Sequence, residues 1–254
     1  MPELGKLQKL LSILRKGIVY TQKYLSKLGY YHDLIKSYRR NGWIESIGTG
    51  AFKLSGDQID WFGGVYTLQN QLKLPVYVGG RTALQLKGFA HYGRLGKEKC
   101  FLFGEKGTQL PKWFTEYDWG VDIQFKATNL LPFNFRESFM AYNHKDFEIV
   151  FSAPERSVME MLYYIPNKQG FDEARHIMES LMSLRPKLIQ KLLEECRQIK
   201  VKRIFLYMAD KLEMPWFDKI EMDQIDLGKG KLMVVENGVL DNKYLITVPR
   251  GEGV

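Results

Sequence analysis

Residues 21–54 read TQKYLSKLGYYHDLIKSYRRNGWIESIGTGAFKL, and the order of signals in this stretch decides the fold. Thr21 is a good N-cap, since its hydroxyl can accept from an orphan amide of the following turn. It opens a short helix, Gln22 to Leu28, which Gly29 closes. A second helix is predicted from His32 to Arg40, stopped by Asn41-Gly42. Its inward face is Leu34, Ile35 and Tyr38; its outward face carries His32, Lys36, Ser37, Arg39 and Arg40. Trp43-Ile44-Glu45-Ser46-Ile47, the turn Gly48-Thr49-Gly50 and Ala51-Phe52-Lys53-Leu54 then read as a β-hairpin with a glycine-containing loop.

Upstream, Leu4, Leu7, Leu10, Leu11 and Leu14 recur at helical spacing, which predicts a first amphipathic helix ended by Gly17. Three helices, the last two joined by a tight glycine turn, then a hairpin: this is the order of a winged helix-turn-helix. Such folds place the helix after the turn in the major groove. Residues 1–56 hold seven Lys and three Arg against Glu3, Asp33 and Glu45, a net +7, while the whole chain is only +8. Almost all the excess charge therefore sits in the first fifth, and a phosphate backbone is its obvious partner. The alternative is a basic, helical protein-interaction domain with a solvated face. On the DNA reading, Lys36, Ser37, Arg39 and Arg40 face the groove or its phosphates, and Tyr31 and His32 lie at the helix start. Thr49 or Lys53 on the wing would touch backbone or minor groove.

The chain of 254 residues has material for one large or two modest domains, and 45% hydrophobic with 26% charged residues argues against long disorder. Cys100 and Cys196 are too far apart in sequence to suggest a disulfide framework or a metal site. They read as buried thiols in a reducing compartment. No apolar run reaches the ~18 residues of a membrane span. The first residues lack the pattern of a secretory signal. The expectation is a cytoplasmic protein that binds no membrane.

After the head, 57–254 is predicted as a mixed body: strand-rich over 75–151, helical over 152–212, short strands over 213–254. A linker helix is expected within Asp57 to Leu74, weakened by Gly63-Gly64. Strands are expected at Val76–Val78, Lys99–Phe103, Val121–Ala127, Ser138–Tyr142 and Phe147–Phe151, the last two paired across Asn143-His144-Lys145-Asp146. Ser152-Ala153-Pro154-Glu155 has capping-box spacing and opens a helix striped by Val158, Met161, Leu162 and Ile165. Three more helices follow: Gly170 to Met182, one lined by Leu188, Leu192, Cys196 and Ile199, and one lined by Val201, Ile204, Phe205, Met208 and Leu212. Lys231–Val235 and Tyr244–Val248 return to strand. The class is α+β rather than an alternating βαβ sheet.

Chemical motifs are sparse. Val78-Gly79-Gly80-Arg81-Thr82 joins strand to helix, as a phosphate cradle would, but matches neither glycine-rich nucleotide motif; a plain tight turn is the simpler reading. Arg81 and His91 could share a pocket. His32, His91, His144 and His176 have no ligand spacing, so no metal and no cofactor is implied. Asp118 and Asp122 could hold Mg²⁺ but read better as exposed strand-end acids. Arg185, Lys187, Lys191, Arg197, Lys200, Lys202 and Arg203 form a second basic concentration, by default a solvated helix face. No nucleophile elbow is present, which lowers an enzymatic reading. A nucleic-acid-processing enzyme built on Asp118 and Asp122 is the remaining catalytic alternative.

Three features together resemble a known family: the N-terminal winged helix, Tyr77-Val78-Gly79-Gly80-Arg81-Thr82-Ala83-Leu84-Gln85-Leu86 with Gly88-Phe89-Ala90-His91, and Ser152-Ala153-Pro154-Glu155-Arg156-Ser157-Val158-Met159-Glu160-Met161-Leu162. The family is the AbiEi antitoxins, transcriptional regulators of type IV toxin–antitoxin systems tied to abortive infection in bacteria. The resemblance spans nearly the whole chain. It implies an N-terminal domain that represses its own operon at promoter inverted repeats in double-stranded DNA. It also implies a C-terminal region that counters a co-encoded nucleotidyltransferase-like toxin without a stable complex. The alternative is a winged-helix regulator whose body senses a ligand or dimerises, with no toxin partner.

Overall fold

The structure is a computed structural model that describes residues 5–90 and 97–251; Leu4 of the first leucine stripe and His91 lie outside the described residues. The head begins with α1 (Lys6–Ile13), which buries Leu10 and stops at Leu14, where the backbone turns extended, short of the expected end at Gly17. Tyr20–Thr21 forms β1, a strand that two residues are too few to announce by periodicity. Thr21 caps α2 (Gln22–Lys27), its hydroxyl accepting from the Tyr24 amide. Gly29, at φ +87°, makes the turn into α3 (His32–Arg40). β2 (Ile44–Gly48) and β3 (Ala51–Leu54) complete the hairpin, and the sheet order is β1-β3-β2. This is a winged helix-turn-helix, as the opening stretch predicts.

The linker helix is α4 (Trp61–Asn70), capped by Asp60, whose carboxylate accepts from the Gly63 amide. The Gly63-Gly64 pair, which weakens a helix on propensity, is there for packing. A Cβ on Gly63 would lie 1.8 Å from the Gly17 carbonyl oxygen, and one on Gly64 2.7 Å from Trp119 and 2.8 Å from Phe114. Backbone and side chains then join head to helix. The Thr67 hydroxyl donates to the Val19 carbonyl at 2.6 Å, Gln71 Nε2 donates to the same oxygen at 2.7 Å, and the Gly17 amide donates to Asp57 at 2.7 Å.

Beyond α4 come β4 (Val76–Val78), α5 (Gly80–Leu86), β5 (Lys99–Glu105), α6 (Lys112–Glu116), β6 (Asp122–Thr128), β7 (Phe139–His144) and β8 (Phe147–Ser152). The five strands form one mixed sheet, β6-β5-β4-β8-β7, with β4–β8 and β5–β6 parallel and the other pairs antiparallel. One sheet face (Val76, Val78, Cys100, Leu102, Ile149 and Phe151) belongs to the same buried cluster as Leu10, Ile18, Leu25, Ile35, Val65 and Leu68. The head therefore shares one continuous core with the sheet. The other face presents Tyr77, Phe101 and Phe103 to Tyr164. A second large cluster is built by α7 (Pro154–Tyr163), α8 (Phe171–Glu179), α9 (Pro186–Glu195) and α10 (Ile199–Lys211), with the small antiparallel pair β9 (Val239–Asp241) and β10 (Ile246–Val248). The α+β class stands.

Several local expectations are corrected. Ser152 does not cap α7; it ends β8, Ala153 is the N-cap, and Glu155 turns away to pair with Arg185. Lys231–Val235 is not a strand. Only Leu232 bridges to Ile246, while the Val234 and Val235 amides donate to the Thr247 hydroxyl. α6, within 106–118, has no counterpart in the sequence reading because its five residues are too few for a period. The second basic concentration is a solvated face only in part: Arg185, Lys187, Lys191 and Arg197 are exposed, whereas Lys200 is half-buried and Lys202 and Arg203 are buried. Lys202 and Arg203 are 3% and 1% exposed, and they donate to the carbonyls of Asp226, Leu227, Gly230 and Leu245, holding the C-terminal segment on α10. Lys200 donates to the carbonyls of Tyr163 and Ile165. Arg185 grips Glu155, and Lys191 meets Glu137.

Candidate nucleic-acid interface

α3 packs inward through Ile35 and Tyr38, which fixes what points out. Tyr31, its N-cap residue, is 69% exposed, and His32, Lys36, Arg39 and Arg40 are exposed along the helix; Ser37 is half-buried at its margin. Among the described residues, neither Lys36 nor Arg40 meets an acidic side chain. The Arg39 guanidinium lies 5.8 Å from the centroid of Phe52 in β3, so the wing braces it without neutralising it. Nine residues make a helix of roughly 13 Å, comparable with the ~12 Å width of the major groove. Tyr31 and His32 at one end, and Arg39 and Arg40 at the other, would span it.

Gln22 brings the remaining parts together. Its backbone amide donates to the Gly50 carbonyl in the wing turn at 2.8 Å, and its side-chain amide reaches the Tyr30 carbonyl just before α3 at 3.4 Å. The start of α2, the start of α3 and the wing tip therefore converge on one residue, and Thr49 is exposed at that tip. No motif marks Gln22; only its place after a predicted N-cap hinted at it. Lys53 has a different setting from Thr49. Its ammonium donates to the Asp57 carbonyl at 2.6 Å and meets Glu45 at 3.1 Å, so it closes the base of the hairpin. Hydrogen bonds from the Gly56 amide, Ser55 and Lys53 hold the Glu45 carboxyl down to about 2.

The other candidates resolve structurally. At Gly79-Gly80 the place a phosphate would take is filled by the protein's own carboxylate: the Gly80 amide donates to Glu160 Oε2 at 3.0 Å. A Cβ on Gly79 would stand 2.4 Å from that oxygen. Glu160 also accepts from Tyr77 (2.8 Å), Ser152 (2.9 Å) and Arg156 Nε (2.9 Å). Arg156 donates further to the carbonyls of Pro132 and Leu131 and lies 4.5 Å from the Phe139 ring centroid. Burial pushes the Glu160 carboxyl upward, opposed by Arg156, Gly80, Tyr77 and Ser152. This knot ties β4, β8, α5 and α7 together, so the Pro154–Leu162 motif is architectural. Arg81 is buried and paired with Glu173. Asp118 pairs with Lys97, and Asp122 accepts from Gln124. No group of three or more potential metal ligands occurs among the described residues. Both cysteines are buried, and burial raises both thiols. No helix among the described residues is long and apolar enough to cross a membrane.

Comparison with known proteins gives two family matches. Residues 3–95 match a model described as "Transcriptional regulator, AbiEi antitoxin N-terminal domain". Residues 97–249 match one described as "Transcriptional regulator, AbiEi antitoxin, Type IV TA system". No curated protein matches the sequence. Among solved structures, the fold is similar to the RV2827C protein from Mycobacterium tuberculosis, with a TM-score of 0.57, 13% identity, and coverage of 90% of this chain and 85% of that one.

Proposed function

The chain belongs to the AbiEi antitoxin family of transcriptional regulators of type IV toxin–antitoxin systems, and on that premise we propose that it represses its own operon by seating α3 in the major groove at promoter inverted repeats. The body counters a co-encoded toxin of nucleotidyltransferase-like chemistry without forming a stable complex with it. The observation that carries the DNA reading is the convergence at Gln22: the exposed starts of α3 and of the wing turn share one end of the head. Tyr31 and His32 are assigned to base edges or the phosphates beside them. Lys36, Ser37, Arg39 and Arg40 are assigned to the groove and its backbone, and Thr49 to the backbone at the wing; Lys53 supports the wing from behind.

The test is titration of the DNA upstream of the gene, beside a scrambled duplex, at several salt concentrations. Selective binding with a steep salt slope is expected. Arg39→Ala combined with Arg40→Ala should abolish it while leaving the thermal midpoint unchanged. Full affinity in that double variant would sink the assignment of α3. Co-expression with the neighbouring toxin gene tests the second half: growth must be rescued, and affinity capture must not retain the toxin.

A further inference from the structure

The wing is short. β3 begins at Ala51, and Ala51 already faces both Thr21 of β1 and Gly48 of β2, so the hairpin does not extend past its own sheet. Its tip instead rests on the body. The point where a Gly48 Cβ would stand is 2.8 Å from Trp113 Cβ and 3.0 Å from Trp113 Cα, and Trp113 is buried in α6. Only glycine at position 48 allows this contact. Trp113 is held from behind by edge-on packing against Phe114 and Trp119, and the Trp119 indole donates to the Phe114 carbonyl at 2.7 Å.

We propose that α6 acts as an extension of the wing and that Lys112 is a further DNA-backbone contact, supplied by the body rather than by the head. Consecutive Cα atoms are ~3.8 Å apart, so Lys112 and Thr49 each lie one residue from the Trp113–Gly48 contact. Lys112 is exposed, and among the described residues its ammonium makes no ion pair, not even with Glu116 one turn on. Lys53, which the hairpin would otherwise offer, is engaged with Glu45 and Asp57. The partner this arrangement fits is a phosphate flanking the site that the wing tip touches. Such a contact adds affinity and register without reading sequence.

The inference rests on the DNA-binding reading above, and the experiment separates the two. Full-length protein is titrated against the upstream duplex and a scrambled duplex across a salt series, as wild type, Lys112→Gln, Lys112→Arg and Lys229→Gln. Lys229 is an exposed lysine beside the second core cluster, and its loss removes the same net charge. Each phosphate neutralised contributes about 0.9 to the salt slope, which amounts to roughly five- to tenfold in affinity near 0.1 M salt. Lys112→Gln is expected to weaken both duplexes by that factor and lower the slope by about one. Lys112→Arg should restore both, and Lys229→Gln should change neither. An unchanged slope in Lys112→Gln, with binding still abolished by the Arg39/Arg40 double variant, overturns the role of Lys112 and leaves the head's role standing. Wild-type protein that binds neither duplex overturns both.

Discussion

Replacing Gly63 with alanine tests whether head and body are one mechanical unit. The new Cβ would lie 1.8 Å from the Gly17 oxygen and 2.9 Å from its carbonyl carbon. Both are backbone atoms, so no rotamer change relieves the clash, and α4 and the Gly17–Ile18 segment must separate by more than 1 Å. That separation stretches the two bonds that join them, Thr67 and Gln71 to the Val19 carbonyl. Overpacking of this kind costs about 1–3 kcal/mol, and each hydrogen bond lost adds about 1 kcal/mol. The expected loss is ~3–5 kcal/mol, a large part of the ~5–15 kcal/mol that holds a native domain together. At about 2–4 °C per kcal/mol for a chain of this size, the thermal midpoint falls by roughly 6–20 °C. The assay is urea unfolding followed by tryptophan fluorescence and by far-UV circular dichroism. Gly170→Ala serves as the control, because its Cβ would meet only Glu173 Cβ, at an ordinary 3.8 Å. A loss below 1 kcal/mol in Gly63→Ala, equal to that control, would show that the head is not welded through this contact.

Two further outcomes follow from the buried charges. Arg156→Met strands Glu160 with no cation and frees the Pro132 and Leu131 carbonyls, so stability should drop by about 3–5 kcal/mol, measured by denaturant titration; a loss near zero would show that the knot is not essential. Acid should destabilise the protein through Glu155 and Asp60. Burial works against both charges, but Arg185 outweighs it at Glu155, and His144, Gly63 and Lys145 outweigh it at Asp60, so both carboxyls sit below their usual range. A depressed folded-state pKa gives stability that is present above the unfolded value, ~4, and lost as pH falls through the folded one. The thermal midpoint should therefore hold between pH 5 and 7 on this account and fall below about pH 4. Arg185→Met should blunt that fall, and an identical acid limb in this variant would refute the assignment to Glu155.

The head was legible because each of its signals is local. Thr21, Gly29 and Asn41-Gly42 are punctuation that acts on the nearest turn, and the α3 stripe of Leu34, Ile35 and Tyr38 is a single helical face. What the sequence hid depends on contacts between distant residues. Gly63-Gly64 reads as a weak helix until Gly17 and Trp119 stand opposite it. Ser152 and Glu155 have the spacing of a cap, yet a strand ends at one and the other serves a partner thirty residues away. Within the run from Arg185 to Arg203, composition cannot tell the exposed Lys187, Lys191 and Arg197 from Lys202 and Arg203, which are buried and donate to backbone carbonyls. For the proposed interface, Tyr31 to Arg40 could be read from helical periodicity, but Gln22, Trp113 and Lys112 could not. Their relevance comes from a wing tip packed between α2 and α6.

The distribution of motifs and of surface charge has a mechanistic consequence. The two stretches that carry the family resemblance, Tyr77–Leu86 and Ser152–Leu162, meet each other in the knot around Arg156 and Glu160. They hold the sheet to the helices and leave no reactive group exposed. The head is attached to the opposite face of that same sheet through a continuous apolar core, with backbone-level hydrogen bonds at Gly17 and Val19. Coupling between two sites needs an element with two discrete arrangements that both sites bias. The α4 joint, with its glycine-to-backbone contact, and the Gly48–Trp113 contact are both closely packed. On the proposed function, operator binding by α3 and toxin neutralisation by the body would share one continuous core. With Lys112 on the DNA backbone as proposed, bound DNA would cover the α6 flank of the body, and influence between the two would act through occlusion.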